Sequence, residues 1–148
     1  MFRRILLPID GSRLAMKGVK AGVRLGKALG AKVVGAYVIA PYSPPVYGEA
    51  AMYIPGATPQ DYKKLTEKQA KKALAMVEIE AGAAGIACET HFVVGAPPWE
   101  GILKVARARK CDAVVMASHG RGGIGGLLLG SETNGVLAHS KIPVLVCR

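Results

Sequence analysis

The sequence predicts an α/β protein of a single domain, residues 1–148, built on an open five-stranded parallel sheet with helices on both faces. Two observations predict it. Five short apolar runs alternate with helix-like segments from end to end, the order expected of βαβ units. The runs also lack polar–apolar alternation, as strands covered on both faces do. Right-handed crossovers then give a doubly wound sheet. At 148 residues and 51% hydrophobic content the chain can bury a sizeable core and is not a disordered one.

The first run, residues 4–9, reads Arg-Ile-Leu-Leu-Pro-Ile and ends at Asp10-Gly11-Ser12. Ser12 is suited to cap a helix that reaches Leu29 and stops at Gly30. In that helix Arg13, Lys17, Lys20, Arg24 and Lys27 share one face, and Leu14, Ala21, Leu25 and Leu29 are expected on the buried one. Gly18, Gly22 and Gly26 recur every four residues and suggest a flat strip that lets the helix sit close to the sheet. The second strand covers residues 32–39, followed by a loop of residues 40–59 that is rich in Pro, Tyr and Gly. A long helix over 61–84, a strand over 86–94 and a helix over 99–110 follow, the last burying Ile102, Leu103, Val105 and Ala106. Residues 112–117 form the fourth strand, Ser131 opens and caps the last helix, and residues 142–147 close the sheet.

No run approaches the roughly 20 apolar residues of a membrane helix, and the apolar start is cut short by Asp10, unlike a signal peptide. A cytoplasmic protein with no membrane partner is expected. Cys88, Cys111 and Cys147 form no Cys-x-x-Cys pair and read as buried thiols. His91 and His139 have no metal-ligand spacing. The net charge of +10 raises nucleic acid as a partner, but the cations lie on helix faces and do not interleave with aromatic residues. Nucleic acid is therefore not the expected partner.

Ligands of open α/β sheets bind beyond the carboxyl ends of the strands. There the fourth strand runs into Ser118-His119-Gly120-Arg121-Gly122-Gly123-Ile124-Gly125-Gly126, and then through Gly130-Ser131 into a helix. Glycine-rich backbone and a helix amino end both present N–H groups to an anion, and Arg121 adds a charge-assisted contact. Asp10, at the end of the first strand, brings a carboxylate suited to a ribose hydroxyl or a metal-bound phosphate. Residues 120–125 match G-x-G-x-x-G, but no acid follows Glu132 and the glycines run on, so a dinucleotide fold is rejected. No Lys follows Gly130, which excludes a Walker A loop. His119 has no nucleophile elbow beside it, and no catalytic residue and no metal site are assigned.

These residues resemble the universal stress protein family along the whole chain. The opening Ile5-Leu6-Leu7-Pro8-Ile9-Asp10-Gly11-Ser12 and the closing Val144-Leu145-Val146 are similar to that family's ends. Its ATP-binding subgroup carries Gly, two residues, Gly, nine residues, then Gly with Ser or Thr; here the series is Ala117, Gly120, Gly130 and Ser131. The resemblance implies a Rossmann-like, adenine nucleotide alpha hydrolase-like fold and ATP, with Mg2+, as ligand. It implies that Asp10 holds the ribose and that Pro8, Ile9 and Val38 line the adenine. Met116, Ala117 and Gly120 would border the ribose and phosphates, with Gly130, Ser131 and Thr133 holding the phosphates and Glu132 beside them. It also implies a homodimer paired through the apolar C-terminal strand, whose edge would otherwise be uncovered.

The expected function is thus a homodimeric ATP-binding regulatory module of the stress response. Two alternatives stay open. One is an interaction protein of the same family without nucleotide, which Ala117 and Glu132 favour. The other is a slow ATPase, in which hydrolysis is incidental.

Overall fold

The computed structural model describes residues 1–43, 58–119 and 129–148. Strand β1 (Arg4–Pro8) leads into helix α1 (Arg13–Leu29), followed by β2 (Lys32–Ile39), α2 (Pro59–Ala84) and β3 (Cys88–Val94). Helix α3 (Pro98–Ala108), β4 (Ala113–Ala117), α4 (Ser131–His139) and β5 (Val144–Cys147) complete the chain. The five strands are parallel, in the order β3-β2-β1-β4-β5. The chain winds outward from β1 to β3, crosses back to β4 and winds the other way, so the order reverses between β1 and β4. That is where a crevice opens in folds of this kind.

Each sheet face has its own core. Ile5, Leu7, Val33, Tyr37 and Val115 pack with Val19 and Val23 of α1 and with Leu74 and Val77 of α2. Leu6, Val34, Ala36, Val114 and Met116 pack on the other face with Ile102, Leu103, Val105 and Ala106 of α3 and Val136 of α4. The predicted buried side of α3 is therefore the observed one.

Local chemistry sets the ends of α1. The Ser12 hydroxyl accepts from the Ala15 N–H at 3.0 Å, and Gly30 takes the left-handed conformation, φ 64°, that ends the helix. All five predicted cations of α1 are exposed. The buried side differs from expectation: it is Ala15, Gly18, Val19, Gly22, Val23 and Gly26, with Leu14, Ala21, Leu25 and Leu29 half-buried at its flanks. The glycines explain the rotation. A Cβ at Gly22 would lie 2.1 Å from Leu7 Cδ2, and one at Gly18 would lie 2.8 Å from the Ala117 amide nitrogen. The glycine strip lets α1 approach closer than a row of leucines would, and the leucines seal its margins.

Element ends shift where a particular contact intervenes. Helix α2 begins at Pro59, behind Thr58, whose hydroxyl accepts from the Asp61 N–H. Proline suits a first helical turn because the N–H it lacks would have no helical partner there. Strand β3 starts at Cys88, not residue 86, because the Ile86 N–H still serves the end of α2 through Ala81 O. Strand β5 starts at Val144, since Ile142 N–H is bonded to Ser140 Oγ and Pro143 has no N–H to give.

Among the thiols, Cys111 is buried, whereas Cys88 and Cys147 are half-buried. Desolvation raises all three, Cys111 from 9.0 to about 11. No helix among the described residues is long and apolar enough to cross a membrane.

Candidate functional site

The carboxyl ends of β1, β2 and β4 and the amino end of α4 converge at the reversal point. Pro8 is in register with Ala36, and beyond it the Ile9 N–H still reaches Ala36 O at 2.9 Å, which holds the chain extended up to Asp10. Asp10 turns there: its Oδ1 accepts from the Ser12 N–H at 2.9 Å, so the carboxylate orders the entry to α1. It stays half-buried. On β2, Val38 is half-buried and faces α3, where a Cβ at Gly101 would come within 2.7 Å of its methyl group. Val38 thus forms part of the wall beneath α3.

Met116 and Ala117 end β4, both buried at 6% exposure. Among the described non-glycine residues only Lys110 has positive φ, so Ala117 is ordinary extended backbone. Strand alternation puts its methyl on the same face as Val115, toward α1. Its carbonyl accepts from Thr133 Oγ1 at 3.0 Å. Thr133 is 2% exposed, so its hydroxyl proton is directed into the protein and fastens the first turn of α4 to the end of β4. What Thr133 can offer a ligand is its backbone N–H.

The amino end of α4 differs from the expectation in one respect. Gly130, not Ser131, is the N-cap, with φ −61°, ψ 155° and no side-chain hydrogen bond. A tertiary contact sets this: the Gly130 N–H donates to Ser118 O at 2.8 Å, which orients the cap one residue earlier than hydroxyl preference alone predicts. The first helical bond runs from Asn134 N–H to Gly130 O. The N–H groups of Ser131, Glu132 and Thr133 precede it and have no partner within the helix. Gly130 is closely packed, since a Cβ there would lie 3.3 Å from His119 Cα and 3.4 Å from Ser118 O. The Ser131 side chain is exposed.

Glu132 links this helix end to α3. Its Oε2 accepts from the Trp99 N–H, in the first turn of α3, at 2.8 Å. Its Oε1 lies 3.4 Å from Ser131 Oγ. The structure therefore gathers Pro8, Ile9, Asp10, Met116, Ala117, Gly130, Ser131 and Thr133 at the β1–β4 end, with Val38 in the neighbouring wall. Gly120 and Arg121 lie outside the described residues. Sequence reasoning passed over two participants. Ser118 is buried, holds Gly130 through its carbonyl and meets His119 Nδ1 with its hydroxyl at 3.1 Å. Trp99 receives Glu132 from 33 residues away, a distance no local pattern spans. Among the described residues no group of three or more His, Cys, Asp or Glu side chains is placed to hold a metal ion.

Comparison with known proteins gives a consistent result. The model of the universal stress protein family matches residues 1–148. A universal stress protein of Thermus aquaticus, encoded 3′ of a QAH/OAS sulfhydrylase, is 30% identical over 149 residues, all of both chains. Among solved structures, MJ0577 of Methanocaldococcus jannaschii superposes with a TM-score of 0.69 at 26% identity, over 99% of this chain and 95% of that one. A universal stress protein solved in complex with cAMP shares the fold, with a TM-score of 0.68 at 24% identity and coverage of 99% and 97%.

Proposed function

The chain belongs to the universal stress protein family, and on that premise we propose that it binds ATP at the carboxyl edge of its sheet and acts as a homodimeric regulatory module of the stress response. The observation that carries the reading is the amino end of α4. Among the described residues no side chain caps its first N–H groups, and they lie beside the β4 terminus at the point where strand order reverses. Free N–H groups and the positive end of a helix are what a phosphate needs. In this reading Asp10 holds the ribose, Pro8, Ile9 and Val38 border the adenine, and Met116 and Ala117 floor the ribose. The backbone N–H groups of Ser131 and Thr133 receive the phosphates, since the Gly130 N–H is already given to Ser118 O and Gly130 serves by leaving room at the cap, with Gly120 and Arg121 contributing from the glycine-rich segment. Mg2+ enters with the nucleotide, because it usually keeps phosphate and water ligands and needs few from the protein. Asp10 is the carboxylate that the β1 end offers it.

Dimerisation is proposed through β5. It is an edge strand, and its Leu145 is 49% exposed, an uncovered apolar edge that a second copy would pair and bury. Cytoplasmic residence belongs to the same reading.

Calorimetric titration with ATP and Mg2+ tests the proposal directly. Binding stoichiometric with the chain is expected, with a rise in Tm corresponding to about 2.7 kcal/mol at a hundredfold excess over Kd. No heat and no Tm shift at millimolar ATP would leave the second reading, a nucleotide-free interaction protein. The Glu132 carboxylate in the first turn of α4 is the observation that favours that one.

A further inference from the structure

Glu132 is a conspicuous residue at a helix end that would receive phosphate, because a carboxylate there opposes an anion. Its surroundings explain its presence. Helix α3 opens with Pro97 as N-cap and Pro98 behind it, neither of which has an N–H, and no side chain of its own caps it. The Trp99 N–H is the donor this leaves without a helical partner. Glu132 supplies the acceptor at 2.8 Å, an ordinary length for a charge-assisted bond. The carboxylate therefore stands between the positive ends of two helices, where its charge is favoured.

The ring of Trp99 adds a second attachment. It lies against α4 so closely that a Cβ at Gly135 would be 2.3 Å from its Cγ, and it stacks on His139 with centroids 4.2 Å apart. Glu132, Gly135 and His139 are spaced three and four residues apart and so form one stripe of α4 that receives α3. The remaining carboxylate oxygen, Oε1, is 3.4 Å from Ser131 Oγ. The Ser131 hydroxyl donates to Oε1 there, and a phosphate oxygen that takes this proton instead, at about 2.7 Å, would lie within about 6 Å of Oε1.

Resting on the nucleotide reading above, we infer that Glu132 is a positioning and specificity residue. Its carboxylate fixes the amino ends of α3 and α4 against each other, and its charge weights the site toward nucleotides with fewer phosphate charges. A triphosphate brings more negative charge to the α4 end than a monophosphate, so the same carboxylate opposes it more.

The test uses the full chain, ATP and AMP as probes, and the variants Glu132→Gln and Glu132→Ala. Glutamine keeps an acceptor for Trp99 and removes the charge; alanine removes both. Affinities are read by calorimetry, and the tether by hydrogen exchange of the Trp99 amide. Trp99 is the only tryptophan of the chain, so its emission gives a second local readout. For Glu132→Gln we expect ATP to bind about three- to tenfold tighter, AMP to gain less than half that factor, and Trp99 exchange to hold within about twofold. For Glu132→Ala the Trp99 amide should exchange at least about tenfold faster, and ATP should bind about threefold more weakly than to the glutamine variant. An ATP-to-AMP ratio unchanged in Glu132→Gln overturns the specificity role while the nucleotide reading stands. Glutamine and alanine variants alike in affinity and in Trp99 exchange overturn the positioning role. If the parent chain binds neither nucleotide, the nucleotide reading and this inference fall together.

Discussion

Replacing Gly130 by Asp separates ligand binding from folding at the α4 end. The backbone there, φ −61° and ψ 155°, is ordinary for any residue, and Asp is among the preferred N-caps. The new Cβ would sit 3.3 Å from His119 Cα and 3.4 Å from Ser118 O, tight contacts that a shift of a few tenths of an ångström relieves. A cap gain of a few tenths of a kcal/mol and a comparable steric cost nearly cancel, so Tm should move by only about 2–4 °C or less. Binding responds differently. The carboxylate takes the N–H groups proposed for phosphate and adds a charge beside it. At about 4 Å, two unit charges repel by about 1 kcal/mol in bulk water and about 4 kcal/mol at an effective dielectric of about 20. Gly130 is half-buried, so about 2–3 kcal/mol is the reasonable range, a loss of about thirty- to 150-fold in ATP affinity. Calorimetry near physiological salt, with a thermal melt alongside, reads both quantities, since low salt would exaggerate the charge effect. Gly130→Asn is the control: it caps similarly without the charge and should lose markedly less. A Gly130→Asp protein that melts like the parent and binds ATP within about threefold of it would refute the placing of phosphate at this helix end.

Further outcomes follow from the same geometry. Ala117→Gly should change ATP affinity by less than about tenfold, because Ala117 is extended backbone whose methyl faces α1; a glycine variant that gains binding the parent lacks would make Ala117 a lesion of the site. Gly18→Ala should destabilise the protein by about 1–3 kcal/mol in denaturant titration. The methyl it adds would press on the Met116–Ala117 backbone, so ATP affinity should fall with stability, and a variant as stable as the parent would show that α1 is not held so closely. Leu145→Lys, on the exposed edge strand, should shift sedimentation from dimer to monomer at micromolar concentration, and a parent already monomeric there would exclude the β5 interface.

Much of the fold was legible because the signals were local. Ser12 and Gly30 bracket α1 through their own side chain and φ, and five runs of apolar residues mark five strands whichever neighbours they find. The repeat of Gly18, Gly22 and Gly26 announced a close approach, since helical glycines carry a propensity cost that packing must offset. Which atoms they approach was not readable. That depends on strand order, which put β4 beside β1 and beneath α1.

At the candidate site the sequence by itself determined the inventory: a carboxylate ending β1, a glycine-rich passage after β4, and a helix opening near Gly130 and Ser131. Only the tertiary structure decided how these groups are employed. The Gly130 N–H found Ser118 O, which moved the cap off Ser131. Thr133 turned its hydroxyl inward to Ala117 O, and Glu132 crossed to the Trp99 N–H. The physical reason is common to all three. A hydrogen-bonding group goes to whichever partner the packing leaves unsatisfied nearby. At the end of β4 and the start of α3, those partners come from segments that only folding brings together.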